Sequence, residues 1–299
     1  PAATVGSAGC TRKKKARKDK DVIKRRITGI MLAALWLFLW FYQGWPLRVC
    51  MMFVMGLGMI EVSQAFAKEK IWPCGVACMA FALFALPAYL LARQELDPFA
   101  ALSPVLLIAM LCLILGMSLL VLRGTVDGRS LLATAFPILY PGLLFAMLFP
   151  LVDLGGRAQV ALALGHALVI ALANDLAAYE IGTLFGKRKL SPVISPKKTV
   201  EGSLAGFAAG ILVACGLPFL MRLIWPQLQL LPVWMYALLG AFASVAAQLG
   251  DLSASYIKRV CEIKDFGSIL PGHGGIMDRL DAVLFCATVC TAFYHWFGI

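Results

Sequence analysis

The chain has 299 residues, 61% of them hydrophobic and only 14% charged, with a formal net charge of +11. Soluble domains carry about 25% charged residues, so an ordinary water-soluble globule is excluded and the cations must sit in a few segments. Apolar stretches close to the ~20 residues that cross a hydrocarbon core predict nine spans, at 27–45, 47–66, 71–92, 100–122, 131–151, 158–180, 204–225, 231–254 and 277–298. The expected fold class is all-α: a polytopic integral membrane helical bundle of about nine transmembrane helices, with its termini on opposite sides.

Polarity divides the chain into a basic tail over 1–26, a transmembrane scaffold of five spans over 27–151 and a transmembrane domain of four spans over 152–299, where function is expected to lie. The tail is too polar for a packed core. Next to a span it gains about 1 kcal/mol per basic residue from anionic lipid. With no nucleic-acid-binding module in the chain, membrane lipids and not nucleic acid are the expected partner. No small-residue cleavage site accompanies the first apolar stretch, which is expected to remain as an anchor. Of the 27 Lys and Arg, only Arg48, Arg93, Arg157 and Arg222 fall on the face opposite the tail. That bias places the tail side in the cytoplasm, giving a multi-pass protein of the cell (inner) membrane.

The scaffold half carries few ionisable groups and no motif that implies chemistry. Its exception is Glu61, near the cytoplasmic end of the second span beside Ser63 and Gln64, where a salt bridge or interfacial snorkelling would account for it. The nine cysteines occur singly or four apart, as in Cys74/Cys78 and Cys286/Cys290, with no CxxC. They read as reduced packing residues. His166 and His295 lack partners at metal-ligand spacing and read as structural.

From Asn174 onward polar residues enter the spans. Asp175, with Tyr179 and Glu180, lies near the cytoplasmic end of the sixth span, where an unpaired carboxylate is expensive; it either pairs with a cation of the later loops or binds metal or nucleotide. The loop 185–202 is punctuated by Pro and Gly and cannot be one long helix. Its basic cluster Lys187–Lys189 reads as a topology signal. Its second half, Ser195-Pro-Lys197-Lys198-Thr199-Val-Glu201-Gly202, offers hydroxyls, ammonium groups and exposed amides to an anionic substrate, while Thr199 with Glu201 would also serve as a helix cap.

Gln248, Asp251, Ser255 and Lys258 or Arg259 recur every three or four residues and share one face of the eighth span. Such a stripe must face the bundle interior or a water-filled cavity. Pro271-Gly-His273-Gly274-Gly275 then leads into the last span, where Asp278 and Asp281 project from one face. Glycines allow close backbone approach, and a helix N-terminus offers free N–H groups to an anion. Asp251, Asp278 and Asp281 converge at one membrane face, and Mg²⁺ favours one or two carboxylates plus phosphate oxygens and water.

The whole run Ser255-x2-Lys258-Arg259-x4-Lys264-Asp265-x-Gly267-x2-Leu270-Pro271-x-His273-Gly274-Gly275-Ile276-x-Asp278-Arg279-Leu280-Asp281 resembles, without departure, the signature of the phosphatidate cytidylyltransferases. The Ser195–Gly202 element is similar to a second motif of that family. The resemblance implies transfer of the cytidylyl group of CTP to phosphatidate, giving CDP-diacylglycerol and pyrophosphate, with Mg²⁺ and with a second cation such as K⁺ left open. The implied catalytic residues are Lys258, Arg259, Lys264, Asp265, His273 and Arg279, although His273 would equally serve as a structural hydrogen-bonding group. Substrate contacts fall to Asn174, Asp175, Ser195, Lys197, Lys198, Thr199, Glu201, Ser255, Gly274 and Gly275, and the metal to Asp251, Asp278 and Asp281. The site should be a polar cavity open to the cytoplasm and laterally to lipid. Self-association as a homodimer is left open.

Two rivals remain at this point. A CTP-dependent polyprenol or other lipid kinase would also need a basic loop and carboxylates, but would release CDP. A transporter would spread its charges through the membrane depth, whereas here they gather at one face.

Overall fold

The computed structural model describes residues 29–31, 33–67, 72–124, 127–270 and 274–297. The basic tail and His273 lie outside the described residues. The chain forms a helical bundle: α1 (Gly29–Tyr42), α2 (Gly44–Phe66), α3 (Trp72–Ala92), α4 (Ser103–Leu122), α5 (Gly128–Pro137), α6 (Leu143–Ala146), α7 (Leu148–Val152), α8 (Arg157–Phe185), α9 (Val200–Ile224), α10 (Val233–Val260) and α11 (Met277–Trp296). Helices satisfy every backbone polar group internally, which hydrocarbon demands. Their outward faces carry apolar side chains such as Leu122, Leu212 and Phe242.

Each of the nine expected spans corresponds to helix. Among the described residues, seven stretches are long and apolar enough to cross a bilayer. The other two differ for physical reasons: α1 is shorter, and α11 carries Asp278, Arg279 and Asp281 at its start. The fifth span, Gly128–Val152, is interrupted where Pro137 and Pro141 withdraw two backbone donors, and the chain takes a π-helical turn over Ile138–Gly142. Helix also continues beyond the apolar segments, to Phe185 in α8 and Val260 in α10. The added turns carry polar side chains out to one end of the bundle.

Buried side chains form two clusters. One is built chiefly by α2–α7, the other by α8–α11 with Trp40 from α1. The second is tied together at close quarters: Gly202, Gly206 and Gly210 of α9 lie one turn apart, and a Cβ at each would collide with Ala178 O, with Asn174, or with Ser244 respectively. Small residues at that spacing let neighbouring backbones approach. His166, fully buried, bonds Tyr294 Oη at 2.7 Å and the Ala214 carbonyl at 3.0 Å, in line with a structural role. None of the described cysteines forms a disulfide.

Candidate active site

Between α8 and α9 the Pro-punctuated loop folds as an antiparallel hairpin, β1 (Lys189–Ser191) with β2 (Ser195–Thr199), in the register Lys189↔Thr199 and Ser191↔Ser195. Thr199 caps α9, its Oγ1 accepting from Gly202 N at 3.2 Å. Glu201 accepts the backbone N–H groups of Lys187 at 3.1 Å and Arg188 at 3.2 Å. In this structure both side chains hold the hairpin to the helix, the capping alternative the sequence allowed. Lys197 is exposed and Ser195 half-buried, while Lys198 reaches across to form an ion pair with Asp251 of α10.

The polar stripe of α10 stands in the seam between helices: Gln248, Asp251, Ser255 and Lys258 are all half-buried, with Leu249 turned outward. At its inner end Gln248 Nε2 donates to Asn174 Oδ1 at 3.0 Å and to Ser203 O at 2.9 Å. Asn174 Nδ2 donates to Ser244 O at 3.2 Å. Asn174, read from sequence as a substrate contact, is fully buried with its amide spent on α10; it stitches α8 to α10. Asp175, one residue on, is exposed and interacts electrostatically with Asp251 and Lys198.

The helix α10 stops without glycine. Glu262 takes a left-handed φ of 58°, Glu262 N donates to Arg259 O at 3.2 Å and Ile263 N to Lys258 O at 2.9 Å, a Schellman closure. The chain thereby turns back along α10, and Lys258 Nζ sits 5.4 Å from the Phe266 ring centroid and 2.9 Å from Asp278 Oδ1. Arg259 is exposed, its Nε donating to Ile194 O at 3.2 Å and pinning the hairpin to α10. Lys264, Asp265 and Arg279 are exposed at the same end. Burial pushes the Cys261 thiol above its usual range and the nearby Arg129 guanidinium opposes this, so the start of α5 reaches the same end too.

Gly274 has a φ of 84°, and its carbonyl accepts from Leu270 N at 3.0 Å. The first turn of α11 departs from the expected anion cradle. Asp278 Oδ2 accepts from Gly275 N at 3.0 Å and Phe266 N at 2.8 Å. Glu61 of α2 accepts from Ile276 N at 3.0 Å and Met277 N at 2.9 Å. Three successive N–H groups at this helix N-terminus are therefore taken by protein carboxylates. Glu61, only 2% exposed, neither snorkels nor pairs with a cation among the described residues. Its sequence signal was a lone acid on a span, and its partner was out of sight.

The three aspartates assigned to metal differ in what is left to them. Asp278 has both oxygens committed. Asp281 is buried, with Oδ1 accepting from Ala282 N at 2.8 Å, and it lies within electrostatic reach of Asp251, Asp175 and Lys258. Asp251 and Asp281 repel each other, and the buried hydroxyl of Tyr140, from the π turn, interacts with both while having no hydrogen-bond partner among the described residues. Two opposed carboxylates beside an unspent hydroxyl fit a hydrated divalent cation. Among the described residues no three ligating side chains stand together as a complete cage, so phosphate oxygens and water would have to complete the shell. The Asp251 and Lys198 side chains are 27% and 28% exposed, whereas that of Asp278 is nearly enclosed at 5%.

Comparison with known proteins bears on the chemistry. The profile of the cytidylyltransferase family matches residues 23–297. A phosphatidate cytidylyltransferase of Bacillus subtilis (strain 168) is 33% identical over 270 residues, 89% of this chain and 94% of that protein. Proteins of the same name match over shorter stretches: in Staphylococcus epidermidis (strain ATCC 12228 / FDA PCI 1200) at 44% over 119 residues, 40% of this chain and 44% of that protein, and in Mycobacterium tuberculosis (strain ATCC 25618 / H37Rv) at 44% over 117 residues, 39% of this chain and 34% of that protein.

Proposed function

This chain belongs to the cytidylyltransferase family, and from that premise we propose that it transfers the cytidylyl group of CTP to phosphatidate, giving CDP-diacylglycerol and pyrophosphate. The observation that carries the reading is the meeting, at one end of α8, α10 and α11, of Asp175, Asp251 and Asp281 with the cations Lys198 and Lys258.

An oxygen of the phosphatidate phosphate attacks the α-phosphorus of CTP; the new P–O bond forms as the bond to the β-phosphate oxygen breaks, and the electron pair leaves with pyrophosphate. The nucleophile is already anionic, so no general base is needed, and catalysis rests on positioning and charge neutralisation. Asp251 and Asp281, with Asp175 nearby, would hold Mg²⁺, which when bound supplies positive charge to the phosphate oxygens. Asp278 instead orients Lys258 and ties Phe266 and Gly275 to the start of α11 through its two backbone bonds. Lys258 and Lys198 face the carboxylates and neutralise phosphate charge entering between them. Exposed Lys197, Lys264, Arg259 and Arg279 draw both anionic substrates to the cleft.

The cation bias supports a cytoplasm-facing site in the cell membrane. CTP then arrives from water, and the lipid from the adjoining leaflet. Purified full-length protein in detergent, given labelled CTP and phosphatidate with Mg²⁺, should yield CDP-diacylglycerol and pyrophosphate in equal amounts. Release of CDP with a phosphorylated lipid would overturn this in favour of a kinase.

A further inference from the structure

We propose that Glu61 is a positioning residue for the transfer: from the scaffold half of the chain it fixes the first turn of α11 and so sets where Asp278 and Asp281 stand. The proposal rests on the cytidylyl-transfer reading above.

Glu61 is placed rigidly. Its α2 neighbours Met59 and Val62 are fully buried, and the carboxylate itself is 2% exposed. Each oxygen accepts one backbone N–H, from Ile276 and Met277, and the second of these residues is fully buried. Gly267 and Gly275 lie so close against the carboxylate that a Cβ at either would press into it. The signature loop thus wraps the acid on two sides, and two of its glycines are explained by a residue more than two hundred positions upstream.

The mechanical consequence is direct. Met277 precedes Asp278, and Asp281 follows one turn on, so the hydrogen bonds at Ile276 and Met277 set the rotation of the turn bearing both aspartates. A negative charge at a helix N-terminus is also favourable in itself. Glutamine has the same shape but only one accepting atom at its tip, and its NH₂ would face an N–H. Aspartate is one methylene too short to reach both donors.

The test compares wild type, Glu61→Gln, Glu61→Asp and Asp153→Asn, all full length in detergent. Asp153 pairs with Arg48 on the opposite face of the bundle and serves as a control for loss of stability alone. Glu61→Gln should lower kcat about tenfold or more, with KM for CTP and phosphatidate changed less than about threefold. Backbone hydrogen exchange over 276–281 should rise, and adding Glu61→Gln to Asp278→Asn should cost little further activity. Wild-type kcat in Glu61→Gln, full additivity with Asp278→Asn, or an equal kcat loss in Asp153→Asn at equal loss of thermal stability would overturn the proposal. So would failure of both Glu61 variants to fold while Asp153→Asn folds, which would mark Glu61 as a structural cap. If wild type made no CDP-diacylglycerol, the reaction reading would fall, while exchange over 276–281 would still decide the Glu61 contact.

Discussion

Lys258 of α10 and Asp278 of α11 meet at 2.9 Å with side chains only 17% and 5% exposed. Removing one member of such a pair leaves an uncompensated charge out of water, whereas removing both relieves it. Asp278→Asn and Lys258→Met should each lower the unfolding temperature and cut turnover by ~100-fold or more. The double variant should recover thermal stability but not activity. Near-normal turnover in Asp278→Asn would remove both residues from the active site.

Metal dependence should separate the aspartates. Asp251→Asn and Asp281→Asn should raise the Mg²⁺ needed for half-maximal rate by about tenfold or more. Asp278→Asn should leave it within about threefold, since both its oxygens already have protein partners. A Mg²⁺ titration with the largest shift in Asp278→Asn would move the metal to that residue.

Among the described residues, Tyr140 keeps a buried hydroxyl with no hydrogen-bond partner, close enough to Asp251 and Asp281 to interact with both. An unsatisfied hydroxyl costs about 1–3 kcal/mol. Tyr140→Phe should therefore unfold at the same or a higher temperature while turning over several-fold more slowly. A stability loss with unchanged turnover would mean the hydroxyl serves packing alone.

The exposed cations Lys197 and Lys264 are expected to act on binding more than on the chemical step. Alanine at either should raise KM for CTP or phosphatidate by about tenfold with a smaller change in kcat, and the defect should shrink at high salt, where the wild type loses the same attraction. Wild-type kinetics in both variants would leave these lysines as topology signals.

Close packing of α9 makes a stability prediction. Gly206→Val forces a side chain into Asn174, whereas Gly216 has nothing within 4 Å. The first should cost about 1–3 kcal/mol and loosen the Asn174–Gln248 link, and Gly216→Ala should be near neutral. Thermal unfolding in detergent compares them; equal midpoints would contradict the packing described.

Long-range polar partnerships were the part illegible in the chain. Glu61 looked like an isolated acid because its partners, the amides of Ile276 and Met277, are backbone groups without a side-chain signature. The expected anion cradle at α11 failed for the same reason: glycines and a helix start can be recognised, but not that carboxylates of the same protein already fill the donors. Asn174 resembled a site residue by its place beside Asp175, yet consecutive helical positions point about 100° apart. One faces the helix seam and the other the cleft. The Gly202-x3-Gly206-x3-Gly210 repeat was there to be read as a contact face.

By itself, the sequence determined the helical membrane architecture, the end of the bundle that carries charge, and the family, because hydrophobic length, cation bias and an ungapped motif are local properties of the chain. Only the tertiary structure decided that Asp278 has both carboxylate oxygens bonded within the protein. That depends on the direction each side chain takes from its helix and on which amide groups another segment brings within 3 Å. Residue order carries no record of such distances.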